Sequence, residues 1–247
     1  MKRIIWLLIL FFSVSLAWSK VDFGLQFHGG LSLGRYKNYS FKNGKLSSMG
    51  GQLNYLAGGG GGVSGRLWFN RFLGISLGVE VNQGGNRRKE TNRTGGLWVL
   101  TADDRINFLT IPLCLHIGYG NEHLRVFGTV GSYYSYAFSG HFHYKVVQNG
   151  IQLSNESGSL DFDSLYNRTD LGLRFGAGME VFVSKNGNHG ITLDMSYDWG
   201  LHKVFRENIE QGGTTYRFTH SRTLVQAGYV VRFGRHAEDK GQALPDL

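Results

Sequence analysis

Residues 107–119 read NFLTIPLCLHIGY, and this stretch decides the fold class. Every odd position from Leu109 to Tyr119 carries a large apolar side chain, a period of two that fits a β-strand and not a helix. The even positions are small or polar, as at Thr110 and His116. Such a strand can belong to a soluble β-sandwich or to a barrel that crosses a membrane. The rest of the chain favours the barrel.

The composition supports one β-rich domain. The 247 residues include 37 Gly and only 2 Pro, with 14% aromatic and 18% charged residues. A mean hydropathy of −0.20 excludes a bundle of membrane-spanning helices. The formal charge is +8, but no Lys/Arg-rich run accompanies a nucleic-acid-binding motif, so we expect no nucleic-acid partner.

The N-terminus has the three parts of a secretory signal peptide. Lys2 and Arg3 precede an apolar run over residues 4–16, and Ala17-Trp18-Ser19 forms a small-x-small end. We therefore predict a signal peptide over residues 1–19, with an uncleaved anchor as the alternative. The only cysteine, Cys114, cannot form an internal disulfide, so the exported chain must be stabilised by its core or by a closed hydrogen-bond network.

Seven more stretches alternate in the same way, giving eight predicted strands. They cover residues 23–33, 56–69, 73–81, 107–119, 124–138, 170–183, 191–201 and 216–233. Long polar segments, predicted as loops, fill residues 35–54, 84–103, 139–168 and 202–214, and short turns lie at 70–71, 120–123 and 185–188.

This alternation of long and short connections indicates a meander with all long loops at one end, as in bacterial outer-membrane barrels. The prediction is an all-β, eight-stranded antiparallel up-and-down transmembrane β-barrel, with long outer loops and short periplasmic turns. It occupies residues 20–233 and is followed by a polar C-terminal tail over residues 234–247.

The face of the strands opposite the apolar one is charged. A soluble barrel would be apolar inside, so the polarity here is inverted. Buried charges need partners, and we expect a lumenal ion-pair network in which Arg174 lies near Glu180 and near Asp194 or Asp198. The nine predicted members are Arg66, Glu80, Arg125, Arg174, Glu180, Asp194, Asp198, Arg222 and Arg232.

Aromatic residues near the strand ends are expected to form two interfacial girdles. The periplasmic girdle is predicted to contain Trp68, Phe69, Phe72 and Tyr119. The outer girdle is predicted to contain Tyr36, Tyr134, Tyr136, Trp199 and Tyr216.

Four motifs resemble the outer-membrane β-barrel family that includes the PorT-like proteins of Bacteroidetes-type bacteria. They are FLTIPL at 108–113, VFGTVG at 126–131, DLGLRFGAGME at 170–180 and YDWGL at 197–201. The resemblance spans roughly residues 21–233. It implies the barrel fold, an outer-membrane location and a link to the secretion of other proteins.

The sequence QAGYVVRF at 226–233 resembles the signal that the barrel-assembly machinery reads. Its elements are Gln226, Gly228, Val231 and Phe233, although 14 residues follow the final aromatic residue.

Other motifs carry weaker chemical signals. The five glycines at 58–62 lack the Gly-Lys-Ser/Thr ending of a phosphate-binding loop. His141 and His143 share a strand face, but no third metal ligand is evident, so we expect neither a metal site nor a cofactor. His220 and Ser221 are adjacent and face opposite ways on a strand, so they form no simple catalytic pair.

The basic cluster Arg87, Arg88, Lys89 and Arg93 is either a solvated loop or a contact for lipopolysaccharide phosphates. We expect a non-enzymatic integral outer-membrane protein with a side-chain-filled lumen, acting through loops or partners and supporting protein secretion or envelope integrity. The alternatives are a barrel enzyme acting on lipid or peptide and a narrow solute pore. The expected partners are outer-membrane lipids and lipopolysaccharide, the barrel-assembly machinery and secretion-system components.

Overall fold

The computed structural model describes residues 22–42, 45–47, 52–70, 72–92, 98–121, 123–184, 187–207, 209–211 and 214–233. The predicted signal peptide and the predicted C-terminal tail lie outside these residues. Among them, no helix has the length and apolarity needed to cross a membrane.

Twelve strands form within the described residues. They are β1 (Asp22–Lys42), β2 (Lys45–Ser47), β3 (Gln52–Asn54), β4 (Leu56–Trp68), β5 (Leu73–Asn92), β6 (Trp98–Gly120), β7 (Leu124–Gln148), β8 (Ile151–Ser159), β9 (Thr169–Phe182), β10 (His189–Lys203), β11 (Ile209–Gln211) and β12 (Thr214–Phe233).

Eight of these strands close into an antiparallel ring in the order β1-β4-β5-β6-β7-β9-β10-β12. The seam is the pairing of β12 with β1, which runs from Phe23 opposite Phe233 to Phe41 opposite Thr215. The four shorter strands, β2, β3, β8 and β11, each extend one edge of a longer strand beyond the ring. The predicted eight-stranded antiparallel barrel is confirmed.

The outside of the ring is apolar because the alternating face of each strand points outward. Leu113, in the middle of β6, is 48% exposed, and its neighbours Ile111 and Ile117 are also exposed. On the same strand Thr110 and His116 are buried in the lumen. The exposed apolar side chains form a continuous lipid-facing belt, which is the surface that a membrane-spanning barrel requires.

The loop predictions were wrong over much of their length. Strand β1 continues to Lys42, β5 to Asn92 and β7 to Gln148, and β6 begins at Trp98. Above the belt the outer face of a strand no longer meets lipid, so the hydrophobic alternation ends while the backbone pairing continues. The β7–β8 hairpin turns at Asn149 (φ 50°) and Gly150 (φ 83°), an Asn-Gly signal that the sequence contains.

Candidate functional site

The lumen holds the nine charged side chains predicted to face inward. Eight of them are buried, from Asp198 at 0% to Arg125 at 8% exposure, and Asp194 is half-buried. They form two clusters, one nearer the periplasmic turns and one in the middle of the barrel.

The lower ion cluster is centred on Glu180 of β9. Its Oε1 lies 2.5 Å from Arg66 Nη1, and its Oε2 lies 3.3 Å from Arg125 Nη1 and 3.5 Å from Arg232 Nη2. Asp22 Oδ2 bridges Arg125 and Arg232 at 3.4 and 3.2 Å. One carboxylate therefore ties together strands from three parts of the ring.

The half-buried Asp194 completes this cluster through Gln26. Gln26 Nε2 donates to Asp194 Oδ2 at 2.8 Å and to Thr192 Oγ1 at 2.9 Å, and Gln26 Oε1 accepts from Arg66 Nη2 at 2.8 Å. With three arginines and three acids, the lower ion cluster is neutral.

The middle ion cluster is built around Arg174 of β9. Its Nη1 and Nη2 donate to the two oxygens of Glu80 at 2.8 and 2.9 Å, and its Nε donates to Asp198 Oδ1 at 2.6 Å. Arg222 Nη2 lies 3.1 Å from Asp198 Oδ2. His28 Nε2 lies 3.4 Å from Glu80 Oε1. A forked guanidinium that binds two carboxylates is the strongest ion-pair geometry available to side chains.

The expected proximity of Arg174 and Glu180 was wrong. These residues are six positions apart on one strand, which separates them by about 20 Å along the chain. The expected contact through the neighbouring strand is confirmed, because Arg174 binds Asp198 on β10. Its second partner is Glu80, from across the lumen. Same-face position alone does not bring two residues of one strand together.

Aromatic rings cover the guanidinium groups of both clusters. The guanidinium carbon of Arg125 lies 4.2 Å from the ring centre of Trp68, and that of Arg66 lies 4.5 Å from Phe127. Trp68 is 2% exposed and points inward, so its predicted place in the periplasmic girdle was wrong. The pairing with a cation explains why this amphipathic ring lies in the lumen.

The remaining residues predicted for the two girdles lie at the two ends of the barrel. Phe72 and Tyr119 are exposed and stack with ring centres 6.0 Å apart near the periplasmic turns, while Phe69 is half-buried. Tyr134, Tyr136 and Trp199 are exposed at the other end, and the side chain of Tyr216 lies outside the described residues.

The extracellular end of the lumen is closed by apolar side chains, a feature that the sequence analysis missed. We call this group the apolar plug. Tyr36 belongs to it and is 4% exposed, so its predicted place in the outer girdle was also wrong. The buried members are Tyr36, Ile106, Phe108, Ala137, Leu160, Phe162 and Val204.

Part of the plug comes from the segment between β8 and β9, which folds over the barrel mouth. Asp161 Oδ1 accepts the amides of Asp163 and Ser164, forming a turn that places Phe162 inward. Asn167 ties this segment to the end of β10, because its Nδ2 donates to the carbonyl oxygens of Lys203 and Phe205 at 2.9 and 3.2 Å.

Asp104 of β6 lies beneath this segment, beyond the lipid-facing belt. Burial raises the pKa of its carboxyl group to about 6. The hydrogen bond from Tyr166 favours the ionised form and lowers the pKa, but its effect is smaller than that of burial. The Tyr166 hydroxyl donates to Asp104 Oδ2 at 3.3 Å. Burial also raises the pKa of Tyr166, so the tyrosine remains a donor.

The predicted lipopolysaccharide-contact residues lie on a strand and not in a loop. Arg87, Arg88 and Lys89 are exposed near the end of β5, and Arg93 lies outside the described residues. Arg87 Nε and Nη2 donate to the two carboxylate oxygens of Asp103, at 2.8 and 2.6 Å.

His141 and His143 are exposed on the outer face of β7. The described residues contain no group of three or more His, Cys, Asp or Glu side chains placed to hold a metal ion. The five glycines lie within β4, and a Cβ at Gly62 would collide with the Val79 carbonyl oxygen, so close strand approach explains at least that residue.

The predicted assembly-signal residues lie in the last strand of the ring. Gln226 is buried in the lumen and Gly228 lies against the Phe27 carbonyl oxygen, while Phe233 ends β12 and stacks on Phe23 at 6.0 Å. Val231 lies opposite Leu25 across the seam.

Three lumenal residues of β1 that contact the ion clusters were not predicted from the sequence. Asp22, Gln26 and His28 all contact the ion clusters. A signal for them was available, because they occupy the even positions that alternate with the outward-facing Phe23, Leu25 and Phe27.

The comparisons with known proteins fit this architecture. The sequence profile of the outer membrane protein beta-barrel domain matches residues 18–206, while no curated protein sequence matches significantly. Among solved structures, OprG from Pseudomonas aeruginosa is 13% identical, with 87% of this chain and 97% of that chain covered and a TM-score of 0.48.

The protease OmpT from Escherichia coli is 8% identical (86% and 97% covered, TM-score 0.46), and Ail from Yersinia pestis is 16% identical (84% and 99% covered, TM-score 0.29). These identities transfer no function. The profile match covers most of the chain, and the lipid-facing belt fits it: the chain belongs to the outer membrane protein beta-barrel domain family and is a protein of the bacterial outer membrane.

Proposed function

We propose that this protein is a closed, non-enzymatic barrel that acts through its extracellular surface and its partners and does not conduct solutes. The observation that carries the proposal is the filled lumen. An eight-stranded ring is only wide enough for side chains. Here Arg174 spans it from Asp198 to Glu80, and the apolar plug lies above that bridge.

The absence of a catalytic role is part of the proposal. One row of side chains has the composition of a hydrolytic triad: it contains Asp103, His143 and Ser157, which are cross-strand neighbours on β6, β7 and β8. Arg87 occupies both oxygens of Asp103, and among these described residues no hydrogen bond joins His143 to Asp103 or to Ser157. A histidine that hydrogen-bonds neither the carboxylate nor the serine lacks the geometry of a hydrolytic triad.

The partners follow from the location and from the resemblance to PorT-like proteins. We propose outer-membrane lipids and lipopolysaccharide as the surroundings, the barrel-assembly machinery as the folding partner, and support of protein secretion or envelope integrity as the biological role. Crosslinking in native membranes followed by co-purification tests the last of these, and recovery of no envelope component would contradict it.

Conductance in planar bilayers tests the closed lumen. The wild-type protein is expected to give no unitary current steps. A triple variant, Glu80→Ser, Arg174→Ser and Phe162→Ser, removes the central bridge and part of the plug and serves as the open control, provided that its heat-dependent gel shift shows a folded barrel. Wild-type steps as large as those of the variant would support the solute-pore alternative.

A further inference from the structure

The outer face of β5 to β8 continues above the lipid-facing belt as a polar sheet. Two rows of cross-strand neighbours lie side by side on it. One contains Asp103, His143 and Ser157, and the other contains Arg105, His141 and Ser159. They line an open cavity of about 470 Å³. We call the site that these six residues line the outer cavity.

The charge of the outer cavity is positive and uncompensated. Its one carboxylate, Asp103, is neutralised by the bidentate pair with Arg87. Arg105 is exposed and has no carboxylate or hydrogen-bond partner among the described residues. A free guanidinium fork beside imidazole and hydroxyl groups is the donor set that an oxyanion requires.

The height of the cavity relative to the membrane identifies the source of that anion. The exposed apolar series of β6 runs from Leu109 to Tyr119, and Tyr136 and Phe138 are exposed at the level of Leu109 on β7. Arg105 lies four residues beyond Leu109, which for a tilted strand is about 10 Å above the apolar belt. This is the level of lipid headgroups.

We propose that the outer cavity binds a phosphate group carried by a lipid of the outer leaflet. Arg105 binds two phosphate oxygens with its fork, while His141 and Ser159 donate to the remaining oxygens. The exposed Lys89, two residues from Arg87 on the same face of β5, adds positive charge near the site. The inference deepens the proposed action through the extracellular surface and rests on it.

The test uses the full-length protein in detergent micelles, with native mass spectrometry to measure binding. The probes are lipid A carrying its phosphates and lipid A with both phosphates removed. The wild-type protein is expected to bind the phosphorylated form about tenfold more tightly, as charge-assisted hydrogen bonds require. The double variant Arg105→Gln/His141→Gln is expected to lose this preference, and Arg105→Lys, which keeps the charge without the fork, to retain part of it.

Arg217→Gln is the matched control, because Arg217 is also an exposed arginine near the extracellular end but lies on β12. It is expected to leave the preference within about twofold of wild type, since its single charge is far from the outer cavity. An equal loss in this control, or an unchanged preference in the double variant, would overturn the proposal.

Inorganic phosphate separates the two sources of the anion. Displacement of lipid A by millimolar phosphate would show a site for soluble anions and overturn the assignment to lipid, whereas retention supports it. Conductance of the same variants separates this inference from the proposed function: a conducting barrel that keeps its phosphate preference contradicts only the closed lumen.

Discussion

The two ends of the lumen are closed by different interactions. In the lower and middle parts, strands contribute arginines and carboxylates whose pairing is specific in direction and in partner. At the extracellular end, apolar side chains from strands and from the β8–β9 segment pack without such specificity. We therefore expect the ion clusters to unfold together with the ring, and the β8–β9 part of the plug to open while the ring stays closed.

The largest loss of stability is expected from a substitution in the middle ion cluster. Arg174→Leu leaves both Glu80 and Asp198 with a lost partner inside the lumen, and removing one member of a buried pair costs about 3–5 kcal/mol. Urea unfolding in lipid vesicles, read by heat-dependent gel mobility, measures the loss. Adding Glu80→Gln is expected to recover part of it. A change below about 0.5 kcal/mol, as at an exposed surface site, would contradict the buried network.

The lipid-facing belt provides a reference outside the lumen. Leu113→Arg places a cation near the bilayer midplane and is expected to cost about 2–4 kcal/mol in the same unfolding measurement. The matched control is Leu113→Ile, which keeps the apolar surface. Because the new charge faces lipid, a second substitution in the lumen is not expected to restore stability, and a rescue of that kind would show that the faces are assigned wrongly.

A substitution in the apolar plug is expected to destabilise only the residues around it. Phe162→Ala removes a buried ring from the plug and is expected to cost about 3 kcal/mol, the low end of the range for such a change, because the site can partly relax. Hydrogen exchange should increase in the β8–β9 segment and remain unchanged in β9 and β10. Leu165→Ala is the control, because Leu165 lies in the same segment but is 59% exposed. Faster exchange throughout the ring would show that plug and ring are one cooperative unit.

The smallest expected effect is the pH dependence of the stability of the closed apolar plug. The folded pKa of Asp104 is about 6, above the ordinary value of 3.8, so the closed plug binds a proton that the opened plug releases. Closure is therefore most stable below pH 4 and weakens as the pH rises to about 6. Asp104→Asn should stabilise the closed plug at pH 8 by about 1–2 kcal/mol and remove this dependence.

Hydrogen exchange of the β8–β9 segment, corrected for intrinsic rates, checks this at pH 5 and pH 8. The exposed Asp163, which is paired with Arg168, provides the control Asp163→Asn. A plug that opens more often at pH 5 than at pH 8 would reverse the sign and refute the role of Asp104.

The ring could be predicted from the sequence because lipid imposes a period of two wherever a strand crosses it. The alternation around Leu113 predicted both the strand and its outward face. The same alternation placed Arg174 and Asp198 inside, but it could not select Glu80 as a partner, since that contact crosses the lumen and depends on the relative stagger of β5 and β9.

Above the membrane that constraint is absent, and sequence analysis failed for a physical reason. The extension of β7 to Gln148 lacks strict alternation because lipid no longer contacts its outer face. The plug residues Leu160 and Phe162 lie in a short segment that also contains the exposed Leu165, so no regular period there separates buried from exposed apolar residues. Only the Asn149-Gly150 pair offered a local signal, for the β7–β8 hairpin.

The seam between β1 and β12 has a consequence for the order of events in biogenesis. Phe23 meets Phe233, so the contact joins the first and last described strands and depends on the slowest loop closure in the chain. Until β12 pairs with β1, one edge of β1 has no partner strand and Asp22 lacks its contact with Arg232. The ring therefore cannot close before β12 is available, and until then the edge of β1 that later pairs with β12 remains without its partner strand.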